Sequence, residues 1–188
     1  TDIKFIRGDL AVSTMGRGFW VLDNIQSVAL AAKAGGNMLS VLKPKDTFRY
    51  RRPRGVPTDG TADGVPDLPK PTVAIDYYVP TGDHDDIKLE ILDAQSDIVT
   101  TYYNDDGDVE DMGVDAPLHI HTNELEMDTG LNRFRWDMTY LGPWRADVNR
   151  RYSDGPVVTP GLYQARITIG NQSATQSFEL MVDPRVTE

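Results

Sequence analysis

Apolar and polar residues alternate most regularly across Asp86–Tyr103, DIKLEILDAQSDIVTTYY. Ile87, Leu89 and Ile91 take every second position against Lys88 and Glu90, the period of a strand with one buried and one solvated face. Asp93–Asp97 carries turn chemistry, and Ile98–Tyr103 returns with the β-branched and aromatic residues that fit a pleated surface. The pattern predicts a hairpin. Two strands cannot bury their own apolar face, so further strands must cover it.

Those strands are written in the same period. Val73, Ile75 and Tyr77 alternate with Ala74, Asp76 and Tyr78 in Thr72–Val79. Leu118–His121 offers a short strand. In Gly130–Asp137, GLNRFRWD, Asn132, Phe134 and Trp136 oppose Leu131, Arg133, Arg135 and Asp137, which places Trp136 in the core. Ala165, Ile167 and Ile169 share a face of Pro160–Ile169, Asn171–Gln172 makes a turn, and Phe178, Leu180 and Val182 alternate with Glu179 and Met181. Six or seven such strands predict a mostly β protein, an immunoglobulin-like or fibronectin III-like β-sandwich over 72–188.

The N-terminal third has a different rhythm. Thr1–Ile6 alternates weakly, whereas Asp9–Asp23 predicts a β-hairpin turning at Met15–Gly18, where two glycines accept positive φ. On its second strand Phe19 and Val21 face one way and Trp20 and Leu22 the other, so cover is needed on two sides. Fold-back onto the sandwich is expected, because a long linker permits it without loss of translational freedom; a homodimer through the N-terminal hairpin is the alternative. Asp23 or Asn24 caps one short helix over Gln26–Ala34, with Gly35 and Gly36 as its stop. Met38–Leu42 and Thr47–Tyr50 are short-strand candidates that complete a unit over 1–51. The proline- and glycine-rich run over 52–71 then reads as a linker or long loop.

Charge narrows the partners. With 29 acidic against 19 basic residues the formal net charge is −10, a surface that repels phosphate backbones; the one dense basic run, Arg49–Arg54, lacks the aromatic platform of a nucleic-acid site, so no nucleic-acid partner is expected. No apolar run approaches the ~20 residues of a membrane span. The 188 residues include no cysteine, which removes disulfides, thiolate metal sites and a cysteine nucleophile. A start at Thr1, with neither initiator methionine nor signal peptide, gives the expectation of a piece of something longer.

Candidate chemistry is sparse. Asp106 and Asp108, within the acidic stretch Asn104–Asp111, supply oxygen ligands of the kind Ca²⁺ prefers, but out of register with an EF-hand loop, and a like-charged solvated loop explains them as well. His119 and His121, two apart on a strand, project from one face as a metal pair would, yet no third ligand is near in sequence. Trp144, in the long connection Leu141–Thr159, is a candidate for stacking on a sugar ring. No carboxylate pair, G-x-S-x-G run or other catalytic constellation stands out, so neither catalytic residues nor a cofactor are assigned.

The run Asp9–Ile25, DLAVSTMGRGFWVLDNI, resembles the closing propeller segment of large secreted bacterial proteins with sortilin-like, BNR-type repeats, often labelled glycosyl hydrolases, whose corresponding run is close to DLVVATHGRGFWVLDDI. LKPKDTFRY, IDYYV, KLEILDAQSDIV, GLNRFRWDMTYLGP, TPGLYQARI and MVDPRV follow in the same order, so the resemblance covers nearly the whole chain. Met15 stands where that family has histidine. The hairpin, GLNRFRWD and PGLY elements also resemble the immunoglobulin-like domain of flagellar hook-capping proteins. The resemblance implies a propeller-blade remnant over 1–51, an extracytoplasmic location, the rest of a propeller chain as partner, and a non-catalytic accessory or interaction module. A part of a glycoside hydrolase and a carbohydrate-binding module are the alternatives. BNR-type repeats are structural blade motifs, so the glycosidase label does not itself supply a catalyst.

Overall fold

A computed structural model of the chain describes residues 1–6, 8–34, 38–50, 71–104, 120–140 and 155–186. The protein is mostly β, with twelve strands and one helix among these residues. Three sheets form. The first is antiparallel, with β1 (Asp2–Ile6), β2 (Asp9–Thr14) and β3 (Gly18–Leu22) in order. The second has the order β10–β6–β4, where β4 is Ser40–Val41, β6 is Val73–Val79 and β10 is Gly130–Trp136. The third contains β5 (Thr47–Arg49), β12 (Gln172–Val182), β11 (Gly161–Ile169), β7 (Ile87–Leu92), β8 (Ile98–Tyr103) and β9 (Ile120–Glu124), in that order.

The second and third sheets share one core. Val73, Ile75, Tyr77 and Trp136 from one meet Ile87, Leu89, Ile91, Ala165, Ile167 and Phe178 from the other, all at most 2% exposed. Trp136 spans the gap: its ring lies 5.6 Å from Tyr163 and 6.1 Å from Phe178. The central hairpin forms as expected, and its turn is closed by Asp93, whose Oδ1 accepts from the backbone N–H of Gln95 and Asp97 at 2.9 Å, an Asx turn with Ser96 at positive φ. Val182 departs from the expected inward series and is exposed, because β12 outruns β11: their pairing ends at Gly161↔Leu180.

Two strands from before the linker join this body. β4 pairs with β6 through Ser40↔Tyr78 and Val41↔Tyr77, and β5 lies parallel to β12 through Thr47↔Leu180 to Arg49↔Val182. The helix α1 (Ile25–Ala34) begins one residue before the expected Gln26. Asn24 is in the left-handed conformation at φ 53°, and its side chain does not cap α1 in the usual way; it reaches Ser27 Oγ at 2.6 Å and Asp76 at 3.2 Å. The expected glycine stop, all but the last residue of the linker over 52–71 and most of the long connection lie outside the described residues.

Among the described residues the N-terminal hairpin does not fold back onto the two-sheet body as expected. Phe5 is 69% exposed, Phe19 87% and Trp20 63%. β1 adds a third strand to the hairpin, from Asp2↔Ser13 to Ile6↔Asp9, but nothing among the described residues covers either face of the sheet. Among the described residues its side-chain attachments to the body are polar and lie at the corner formed by Asp9, Asp23 and Asn24.

Candidate functional site

Register decides what the N-terminal sheet presents. Directly paired residues of antiparallel strands project to the same side. Ile3↔Val12↔Trp20 and Phe5↔Leu10↔Leu22 therefore form two rows of six apolar residues on one face, where Thr14, opposite Gly18 at the hairpin end, is the polar side chain of β2. The opposite face carries Asp2, Lys4, Asp9 and Ser13 among Ile6, Ala11, Phe19 and Val21. The two-sided apolar pattern read from β3 alone becomes, once β1 and β2 are placed, one dry face and one mixed face. On this face Ile3, Phe5, Trp20 and Leu22 are 46–69% exposed, an apolar patch of roughly several hundred Å², the size that on a monomer often serves a function. Its burial would be worth on the order of 10 kcal/mol before the cost of association.

At the foot of this sheet lies a buried ionic cluster. Asp76, 2% exposed, sits on the side of β6 turned away from the shared core, where the alternation reads as solvent. The β3–α1 corner covers it instead. Arg133, its direct cross-strand partner on β10, forks onto the carboxylate with Nε to Oδ1 at 2.5 Å and Nη2 to Oδ2 at 2.9 Å. Ser27 Oγ and Asn24 Nδ2 also donate to Oδ2. Burial pushes the Asp76 carboxyl up, but hydrogen bonds from Arg133 and Ser27 and the guanidinium charge outweigh it and hold the group below the ordinary carboxylate range. Arg133 Nη2 continues to the Asp23 carbonyl at 3.3 Å. Asp9 accepts from the Asn24 N–H at 2.9 Å and from Lys45 Nζ at 2.5 Å. An open groove of about 400 Å³ adjoins the cluster, lined by Gly8, Asn24, Ser27, Pro44, Lys45 and Asp46.

A second buried carboxylate lies on the outer side of the six-stranded sheet. Glu90, 5% exposed, pairs with Arg166 Nε at 2.8 Å and Lys88 Nζ at 3.2 Å. Burial raises its pKa and the two cations more than reverse this. Asp9 and Asp183 are displaced downward as well, each chiefly by hydrogen bonding. Every displaced carboxyl among the described residues thus favours the ionised form, the opposite of what a glycosidase acid requires.

Asp106, Asp108, His119 and Trp144 lie outside the described residues. His121 is on β9, its backbone paired with Tyr102 of β8. Among the described residues no group of three or more His, Asp or Glu is placed to hold a metal ion, and no helix is long and apolar enough to cross a membrane. Sequence reasoning missed Asp76 and Arg133. The available signal was the single charge of Asp76 inside the apolar run Val73–Val79, since a charge at a strand centre is buried only with a partner.

Comparison of the chain with protein-family models, with curated proteins and with solved structures finds no match.

Proposed function

We propose that this chain is a non-catalytic accessory or interaction module of a secreted, sortilin-like propeller protein. In this reading β1–β3 belong to a propeller blade, and the two-sheet body is an immunoglobulin-like or fibronectin III-like β-sandwich in the extracytoplasmic space. The observation that carries it is the dry face of Ile3, Phe5, Leu10, Val12, Trp20 and Leu22. Such a face suits another sheet packed about 10 Å away, as blades and sandwiches pack. The partner proposed is the rest of the same propeller chain. The resemblance of Asp9–Ile25 to a closing propeller segment points to the same partner.

Three features support the immunoglobulin-like assignment of the body. A three-stranded sheet, β4–β6–β10, faces a larger one in which β7, β11 and β12 are neighbours, the division found in such sandwiches. Tyr163, near the start of β11, donates its hydroxyl to the Thr159 carbonyl four residues upstream at 2.7 Å, the geometry of a tyrosine corner. A buried tryptophan, Trp136, fills the space between the sheets.

Hydrogen exchange on the natural full-length polypeptide, compared with these 188 residues alone, tests the proposal. Strong protection of Asp2–Leu22 in the longer chain, lost in the shorter, is the expected result. Equal and rapid exchange in both removes the propeller reading. A glycan array and aryl-glycoside turnover test the carbohydrate-binding and hydrolase alternatives: binding, or turnover abolished by one carboxylate substitution, would replace the proposed function.

A further inference from the structure

We infer that the Asp76 carboxylate is the hub of a rigid joint that holds the N-terminal sheet and α1 in one orientation on the two-sheet body. The inference does not depend on what covers the sheet's dry face.

The contacts converge on one atom group from three directions. From the body, the planar Arg133 fork fixes both carboxylate oxygens. From the helix, Ser27 donates to Oδ2. From the corner between sheet and helix, Asn24 donates to the same oxygen, while its own N–H is held by Asp9 of β2. Arg133 then closes the circuit by donating to the Asp23 carbonyl at the end of β3. A carboxylate has a fixed plane and few acceptor directions, and a guanidinium has a fixed fork. Satisfying both at once therefore leaves the corner one geometry.

The joint has little help. β1, β2 and β3 pair with one another; the apolar side chains of β1 and β3 are exposed and those of β2 half-buried, and none belongs to the shared core. Among the described residues no hydrophobic side chain of the sheet packs on the core cluster, so directional polar contacts set its angle. A buried ion pair adds little net stability compared with a well-packed apolar contact, and its best-attested use is to select one arrangement among several. Asp76 and Arg133 lie at the middle of the β6–β10 pairing, the stiff interior of the body, so the orientation is referred to a rigid frame and not to a loop. The consequence is that whatever meets the dry face meets it at a fixed angle.

The absence of cysteine makes the test direct. Spin labels on Val21→Cys in the sheet and Ser177→Cys in the body, diluted with unlabelled protein, report the distance distribution within one chain. A single narrow distribution is expected. Asn24→Gly combined with Ser27→Ala removes the two bonds that the corner makes to the Asp76 carboxylate while keeping the Asp76–Arg133 pair and the contacts of Arg133 with the Asp23 carbonyl and of Lys45 with Asp9, and glycine accepts the positive φ at position 24 without strain. This variant is expected to widen the distribution at least twofold with the melting of the body unchanged. Arg133→Met, if it folds, is expected to widen the distribution likewise but with a loss of stability, because it strands the buried Asp76 carboxylate; if it does not fold, the double variant decides. A distribution already broad in the parent chain, or one whose width does not change in the folded double variant, would overturn the inference.

Discussion

Arg133 lies directly across the β6–β10 pair from Asp76 and grips both oxygens of its carboxylate, with 26% of the Arg133 side chain exposed against 2% for Asp76. The pair is therefore asymmetric. Removing the cation strands a buried anion, whereas removing the anion leaves a cation that can turn toward water. Arg133→Met is expected to cost about 3–5 kcal/mol and Asp76→Asn less, because the neutral amide keeps part of the hydrogen bonding. Urea titration of both variants and the double variant gives the coupling directly; additive losses would show that the two side chains do not act as a pair.

Acid should weaken the same region. The folded pKa values of Asp76 and Glu90 are both held below the ordinary carboxylate value. A depressed folded pKa means that the unfolded chain binds the proton more readily, so the stability is present above the unfolded pKa of about 4 and is lost as pH falls through the folded values. Thermal melts between pH 6 and 2 should show a steeper acid loss for the parent chain than for a variant carrying Asp76→Asn and Glu90→Gln. Parallel curves would contradict the assignment.

Trp136 is fully buried, with its ring between Tyr163 and Phe178. Trp136→Ala is expected to cost about 3–5 kcal/mol in denaturant unfolding, the range for deleting a buried large aromatic. Its indole N–H has no hydrogen-bond partner among the described residues, so Trp136→Phe should lose markedly less than the alanine variant. Equal losses for the two would mean that the N–H is satisfied after all.

Tyr163 holds the chain before β11 through one bond to the Thr159 carbonyl. Tyr163→Phe preserves the ring stack with Phe178 at 6.1 Å and removes only the hydroxyl. A loss of about 1–3 kcal/mol is expected, since the carbonyl is left short of a partner. A change below about 0.5 kcal/mol would show that water replaces the hydroxyl at no cost.

The dry face of the N-terminal sheet should dominate the chain's tendency to associate. Trp20→Lys is expected to reduce binding of an apolar dye and light scattering at high concentration, with the melting of the two-sheet body unchanged, because Trp20 is 63% exposed and touches no part of the shared core. A fall in the melting temperature would place Trp20 in a packed interface.

Much of the body is legible along the chain because strand alternation is a local signal. The inward positions Val73, Ile75 and Tyr77, Ile87, Leu89 and Ile91, and Ala165, Ile167 and Ile169 follow from a period of two, and all are buried. Trp136 follows from the same count. The turn at Asp93 is equally local, since an aspartate that bonds the N–H groups two and four residues ahead needs no distant partner.

Pairing is a different kind of information. That β5 runs parallel to β12 rather than closing a unit with β4 depends on residues more than 130 positions apart, which no local period encodes. The dry face of the first sheet exists only once β1, β2 and β3 are in register; read singly, β3 has apolar groups on both sides. The alternation puts Asp76 on a solvated face, and it is buried because a helix corner from 50 residues earlier settles over it. Local sequence sets which side of a strand a residue takes, whereas the burial of that side depends on what the rest of the chain brings to it.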